Sequence, residues 1–149
     1  PLASPADSGA SCRLLLAEDN AVNQKVALHL LRNLGFTADV VGNGLEVLEA
    51  VGRQTYDIIL LDVQMPEMDG LEAARRLGDL FPDPAQRPWI IALTANAMQG
   101  DRELCLNAGM DDYLSKPIKG PALSAALDNA RAELRVRRGQ TPAESVLAK

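Results

Sequence analysis

Histidine, aromatic residues and cysteine are all scarce in this chain of 149 residues, which has one His, two Phe, two Tyr, one Trp and two Cys. The cysteines, Cys12 and Cys105, lie far apart with neither CxxC spacing nor neighbouring histidines, which argues against a zinc site or a disulfide framework. Both read as reduced thiols. Positive charge is in deficit too: fifteen Lys plus Arg stand against twenty Asp plus Glu, a net charge of -5, the wrong sign for a nucleic-acid binder. No apolar run approaches the roughly 20 residues of a membrane span, and no basic-then-apolar signal segment opens the chain. The expected setting is therefore cytoplasmic, with neither nucleic acid nor membrane contacted by this chain. The first residue is Pro1 rather than Met, so the chain is read as a processed product or a piece of something longer.

What is present is ordinary globular material, 47% hydrophobic and 23% charged, enough for one domain with a buried core. Residues 1–11, rich in Pro, Ala, Ser and Gly, have the composition of a flexible linker. Residues 137–149 carry Gly139 and Pro142, which break a helical pattern, and read as a second tail. The folded domain is thus expected over residues 12–136. Within it short apolar runs alternate with segments of helical period. The strand candidates are Arg13 to Ala17, Phe36 to Val41, Tyr56 to Leu61, Trp89 to Leu93 and Tyr113 to Ser115. The first helix follows an N-cap at Asp19 or Asn20, with Val22, Val26, Leu30 and Leu34 at fourfold spacing, Val26 and Leu30 facing inward, and Gly35 at its end. Further helices are expected over Leu45 to Arg53, around Leu71, Ala74, Leu77 and Leu80, over Met98 to Ala108, and around Leu123, Leu127, Ala130 and Leu134.

Strand then helix, five times over, predicts an α/β, doubly wound parallel sheet with helices on both faces. In such sheets the functional site lies beyond the carboxyl ends of the strands, where strand order reverses. The residues placed there are Glu18 and Asp19 after the first strand, Asp62 after the third, Thr94 after the fourth, and Lys116-Pro117 after the fifth. Converging carboxylates repel unless a cation neutralises them, and an all-oxygen set without His or Cys favours Mg²⁺ over zinc. A carboxylate beside such an ion can act as a nucleophile toward phosphorus. Asp62, fixed by the most apolar strand, is the best placed; Lys116 supplies a positive point charge and the Thr94 hydroxyl a hydrogen bond to a phosphoryl oxygen.

At these residues the chain resembles the receiver domain of two-component response regulators. The matching stretches are LLLAEDN with the acidic pair Glu18 and Asp19, LLDVQMPEMDG with Asp62, ALTANAM with Thr94, and DDYLSKP with Lys116. The resemblance implies a flavodoxin-like five-stranded sheet of order 2-1-3-4-5, with Asp62 as phosphoacceptor and Glu18, Asp19, Asp62 and the Gln64 backbone carbonyl as Mg²⁺ ligands. It further implies Thr94 and Tyr113 as switch residues, Gln64 and Asn96 as residues that tune hydrolysis, and a cis peptide bond between Lys116 and Pro117. The wording AEDNAVNQ, with ALTANAMQGDRELCLNAGMDDYLSKPI, is most similar to receivers of hybrid sensor histidine kinases. That implies a phosphohistidine on the kinase's dimerisation domain as donor, a histidine phosphotransfer domain as a further partner, and a parent that can be membrane-anchored. The domain alone would catalyse only its own phosphorylation and dephosphorylation.

Plainer roles stand beside these. Asp19 can simply cap the first helix, Thr94 can satisfy a backbone group, Lys116 can be solvated, and Tyr113 can be a half-buried sheet residue. His29 reads as a surface residue, Cys105 as an apolar filler rather than a redox sensor, and Arg131, Arg135, Arg137 and Arg138 as cations suited to a helix C-terminus. Two other functions share the fold: a constitutive protein-binding module not controlled by phosphorylation, and an aspartyl-phosphate phosphohydrolase. The latter needs a second acid two residues after the nucleophile, where this chain has Gln64.

Overall fold

The computed structural model describes residues 12–95 and 99–139, without the side chains of residues 99–101. Five strands and five helices alternate in the order β1 (Leu14–Ala17), α1 (Ala21–Asn33), β2 (Ala38–Val41), α2 (Gly44–Arg53), β3 (Ile58–Asp62), α3 (Gly70–Leu80), β4 (Trp89–Thr94), α4 (Gln99–Asn107), β5 (Asp112–Ser115) and α5 (Gly120–Arg137). All strand pairs are parallel, in the order β2-β1-β3-β4-β5. This is the expected doubly wound sheet, with the reversal of strand order between β1 and β3.

Strand side chains alternate between faces, and the central strands are apolar on both because helices cover both. Leu14, Leu16, Ile58, Leu60, Ile91 and Leu93 face α1 and α5, meeting Ala27, Leu31, Leu123, Leu127, Ala130 and Leu134. Leu15, Ala17, Ile59, Leu61, Ile90 and Ala92 face the opposite way, onto Val47, Ala50, Ala73, Ala74, Leu77 and Cys105 of α2, α3 and α4. Cys105 is thus part of the core, and neither cysteine is in a disulfide.

One expectation is corrected and two details are added. The inward stripe of α1 is Ala27 and Leu31, whereas Val22 is 67% and Val26 45% exposed. A four-residue step advances about 40° beyond a full turn, so the ladder from Val22 to Leu34 winds around the helix and only its later members approach the core. Second, α5 continues through Arg137, with Arg138 as its C-cap. Third, Arg137 and Arg138 do more than favour a helix dipole: Arg137 pairs with Asp111 and Arg138 with Asp57, each at 2.8 Å. Arg137 also lies over the Trp89 ring, 4.8 Å from its centroid, fastening the end of α5 to the amino-terminal edge of the sheet. His29 is exposed, as expected, with its Nε2 3.3 Å from Asn33 Nδ2.

Candidate functional site

Strand register brings the site together. Ala17 is paired with Leu61, so the next residues along β1 and β3, Glu18 and Asp62, stand side by side at the switch point. Asp62 is opposite Leu93 and Thr94 opposite Ser115; the following residue, Lys116, donates its backbone N–H to the Thr94 carbonyl at 2.8 Å. Asp62 and Thr94 are the last residues of their strands, one position later than the apolar runs indicate, because each still holds its ladder partners.

Glu18, Asp62 and Thr94 are the three buried polar residues among those described, at 2%, 3% and 4% exposure. Buried carboxylates need partners. The Lys116 Nζ lies 2.9 Å from Asp62 Oδ2 and 3.2 Å from Glu18 Oε1, bridging the two. The Gln64 backbone N–H donates to the other Asp62 oxygen at 3.1 Å. Burial pushes the Asp62 carboxyl above its ordinary range, against the opposing pull of Lys116 and the Gln64 N–H. Burial alone would lower the Lys116 ammonium, but its hydrogen bonds and ion pairs with Asp62 and Glu18 outweigh that and hold it above the usual lysine value. Lys116 is therefore a fixed positive charge. The Lys116-Pro117 peptide bond is cis.

Asp19 completes a trio: Glu18, Asp19 and Asp62 each offer an oxygen within 4.8 Å of the others. Three carboxylates against one ammonium leave a surplus of negative charge that a divalent cation would neutralise, and the hard-oxygen donor set fits such an ion. The cap of α1 is Asn20, whose side chain accepts from the Asn23 N–H, so Asp19 is exposed and is not consumed as a cap. The trio opens into a cleft of about 520 Å³, lined also by Asn20, Asn23, Gln64, Met65, Pro66 and Lys116. Tyr113 is half-buried on β5, with the Arg102 guanidinium 5.7 Å from its ring centroid. Asn96 lies outside the described residues.

Several supports of the site were not singled out from the sequence. Asn20, Asn23 and Gln24 all touch Glu18: the Asn20 N–H and Asn23 Nδ2 approach its Oε2 at 3.1 and 3.5 Å, and Gln24 Nε2 its backbone carbonyl at 2.6 Å. The other is Gly70, the first residue of α3. A Cβ there would sit 2.2 Å from the Asp62 carbonyl oxygen, so only glycine lets the helix start against the end of β3. Gly70 closes the stretch LLDVQMPEMDG, which offered a signal; the contacts to Glu18 run through side-chain geometry and offered none. Among the described residues no helix is long and apolar enough to cross a membrane.

Comparisons with known proteins agree with this geometry. A family model described as response regulator receiver domain matches residues 14–128. Hybrid signal transduction histidine kinase B of Dictyostelium discoideum is 44% identical over 116 residues, covering 72% of this chain and 6% of that protein. The aerobic respiration control sensor protein ArcB of Escherichia coli is 44% identical over 114 residues, covering 76% of this chain and 14% of that protein. This chain thus spans a small fraction of the length of these relatives. Among solved structures, the receiver domain of sensor histidine kinase PA1611 from Pseudomonas aeruginosa, with a magnesium ion coordinated in its active site cleft, is 45% identical. The alignment covers 82% of this chain and 97% of that one, with a TM-score of 0.70. A chain from the co-crystal of the Saccharomyces cerevisiae histidine phosphotransfer signaling protein Ypd1 with the receiver domain of its downstream response regulator Ssk1 is 30% identical. That alignment covers 77% of this chain and 85% of that one, with a TM-score of 0.72.

Proposed function

The chain belongs to the response regulator receiver domain family, and from that premise we propose that it accepts a phosphoryl group on Asp62 in a phosphorelay. The observation that carries this reading is the buried Asp62 carboxylate at the switch point, held by Lys116 and faced by Glu18 and Asp19. The donor is a phosphohistidine on a histidine kinase's dimerisation domain, and a histidine phosphotransfer domain is a further partner. Its P–N bond breaks as a P–O bond to Asp62 forms; the imidazole keeps the bonding electron pair and takes up a proton. Little covalent help is needed from the protein for such a transfer beyond position and charge.

Glu18, Asp19, Asp62 and the Gln64 carbonyl would hold Mg²⁺, which when bound supplies positive charge against the phosphoryl oxygens. Lys116, already charged and anchored, neutralises a further oxygen. Thr94, at the end of β4, donates its hydroxyl to the phosphoryl group, and Tyr113 carries the change to the face formed by α4, β5 and α5. Gln64 and Asn96 tune hydrolysis. The exposed Val26 lines a recess with Glu18, Asn23, Lys116, Pro117 and Ile118, an apolar rim against which a phosphohistidine-bearing helix can seat. No observation favours a constitutive binding module, since the set of Glu18, Asp19, Asp62, Thr94 and Lys116 is complete.

The test is intact mass after incubation with Mg²⁺ and a small acyl phosphate, beside Asp62→Asn and an EDTA control. One phosphoryl adduct, lost in both controls, is expected. No adduct on folded, Mg²⁺-loaded protein would overturn the reading.

A further inference from the structure

Only three residues, Glu18, Asp19 and Asn20, separate β1 from α1, and they carry two of the three carboxylates of the acidic pocket. Glu18 is anchored at every polar atom of its side chain: Oε1 to Lys116 Nζ at 3.2 Å, Oε2 to the Asn20 N–H at 3.1 Å. Asp19, by contrast, is exposed, and its side chain makes no hydrogen bond or ion pair among the described residues. Its position is set by the peptide plane that joins it to Glu18. One side chain grips that plane. Gln24, half-buried on the first turns of α1, donates from Nε2 to the Glu18 carbonyl oxygen at 2.6 Å, while its own backbone N–H is spent inside the helix on the Asn20 carbonyl at 2.9 Å. The amide thus spans from the helix to the strand end and closes the three-residue link into a ring.

We propose that Gln24 is a positioning residue for the cation: by holding the Glu18–Asp19 peptide, it keeps the Asp19 carboxylate aimed at the Asp62 side of the cleft. The proposal rests on the phosphoacceptor reading above, but its effect is on ion binding itself. Side chains that hold metal ligands in place, without touching the ion, change affinity by about 10- to 100-fold when lost. The hydrogen bonds of Gln24 run to the Glu18 and Asn20 carbonyls, whereas Asp62 is held by Lys116 and the Gln64 N–H, so the transfer step should survive once the ion is bound.

The experiment compares the intact chain with Gln24→Met, which keeps length and helix propensity but removes the donor, and with Gln24→Ala. Divalent ion binding is read directly, as loss of the free Mn²⁺ electron paramagnetic resonance signal, and urea midpoints are recorded without ion. Both variants are expected to bind Mn²⁺ about ten-fold more weakly, to need correspondingly more Mg²⁺ for half-maximal phosphorylation by an acyl phosphate, and to approach the parent rate at saturating Mg²⁺. Ion affinity within two-fold of the parent in variants that fold would overturn the proposal, whatever happens to stability. Should Gln24→Ala fail to fold, Gln24→Met decides. If the parent binds Mn²⁺ but is never phosphorylated, the phosphoacceptor reading fails while the affinity comparison still judges Gln24.

Discussion

Glycine-to-alanine changes at two positions of one helix should act with opposite sign. Gly78, inside α3, has no atom within 4 Å of where a Cβ would lie, so Gly78→Ala should gain the helix-propensity difference of about 0.5–1 kcal/mol. Gly70 starts the same helix, and its Cβ would fall 2.2 Å from the Asp62 oxygen and 3.0 Å from the Asp62 carbon and the Val63 Cα. Comfortable contact needs about 3.5 Å, and all three obstacles are backbone, so relief requires moving α3 or the end of β3 by about 1 Å. Overpacking of this kind costs about 1–3 kcal/mol, and the propensity gain offsets only part of it. Gly70→Ala should therefore lose about 2 kcal/mol in urea unfolding. The displaced backbone belongs to Asp62 itself, so a 1 Å shift should also slow phosphorylation by about 100-fold. Gly78→Ala should leave phosphorylation unchanged. A Gly70→Ala protein as stable as Gly78→Ala and phosphorylated at the parent rate would refute the placement of α3 against Asp62.

Lys116→Met leaves two buried carboxylates without their counter-charge; with Lys116 21% exposed, the cost should be about 2 kcal/mol, less than a fully buried pair, and added Mg²⁺ should recover part of it in urea unfolding. Arg137→Met removes the Asp111 ion pair and the stacking on Trp89, for about 2 kcal/mol, and should alter the emission of the chain's single Trp. Burial is the main reason that the Asp62 carboxyl in the folded state has a pKa above its ordinary value. Its stabilising contribution is therefore complete below its unfolded value near pH 3.9 and is lost as pH rises through the folded one. At neutral pH without cation Asp62→Asn should accordingly have the higher urea midpoint, and the gap should close on acidification; a lower midpoint would contradict the assignment.

The strands were legible because β1, β3 and β4 are buried on both faces and read as unbroken apolar runs, and because register then fixes which loop residues meet. Glu18, Asp62, Thr94 and Lys116 follow from that alone. What stayed hidden depends on rotation and on distant partners. The fourfold ladder from Val22 to Leu34 states a helix but not its inward face, which Ala27 and Leu31 occupy. The choice of Asn20 over Asp19 as cap turns on a single residue of helix phase, yet it decides whether Asp19 is free for an ion. Arg137 and Arg138 find Asp111 and Asp57 across long stretches of chain, and no local pattern announces such pairs. The grip of Gln24 on the Glu18 carbonyl joins a side chain to a backbone atom, a contact with no compositional signature.

The most decisive measurement is chemical identification of the phosphorylated residue. The chain is incubated with Mg²⁺ and an acyl phosphate, reduced with borohydride and mapped by peptide mass. Conversion of Asp62 to homoserine, absent without Mg²⁺, is the predicted result. Conversion at Asp19 or Glu18, or stable phosphate on another residue with Asp62 intact, would contradict it.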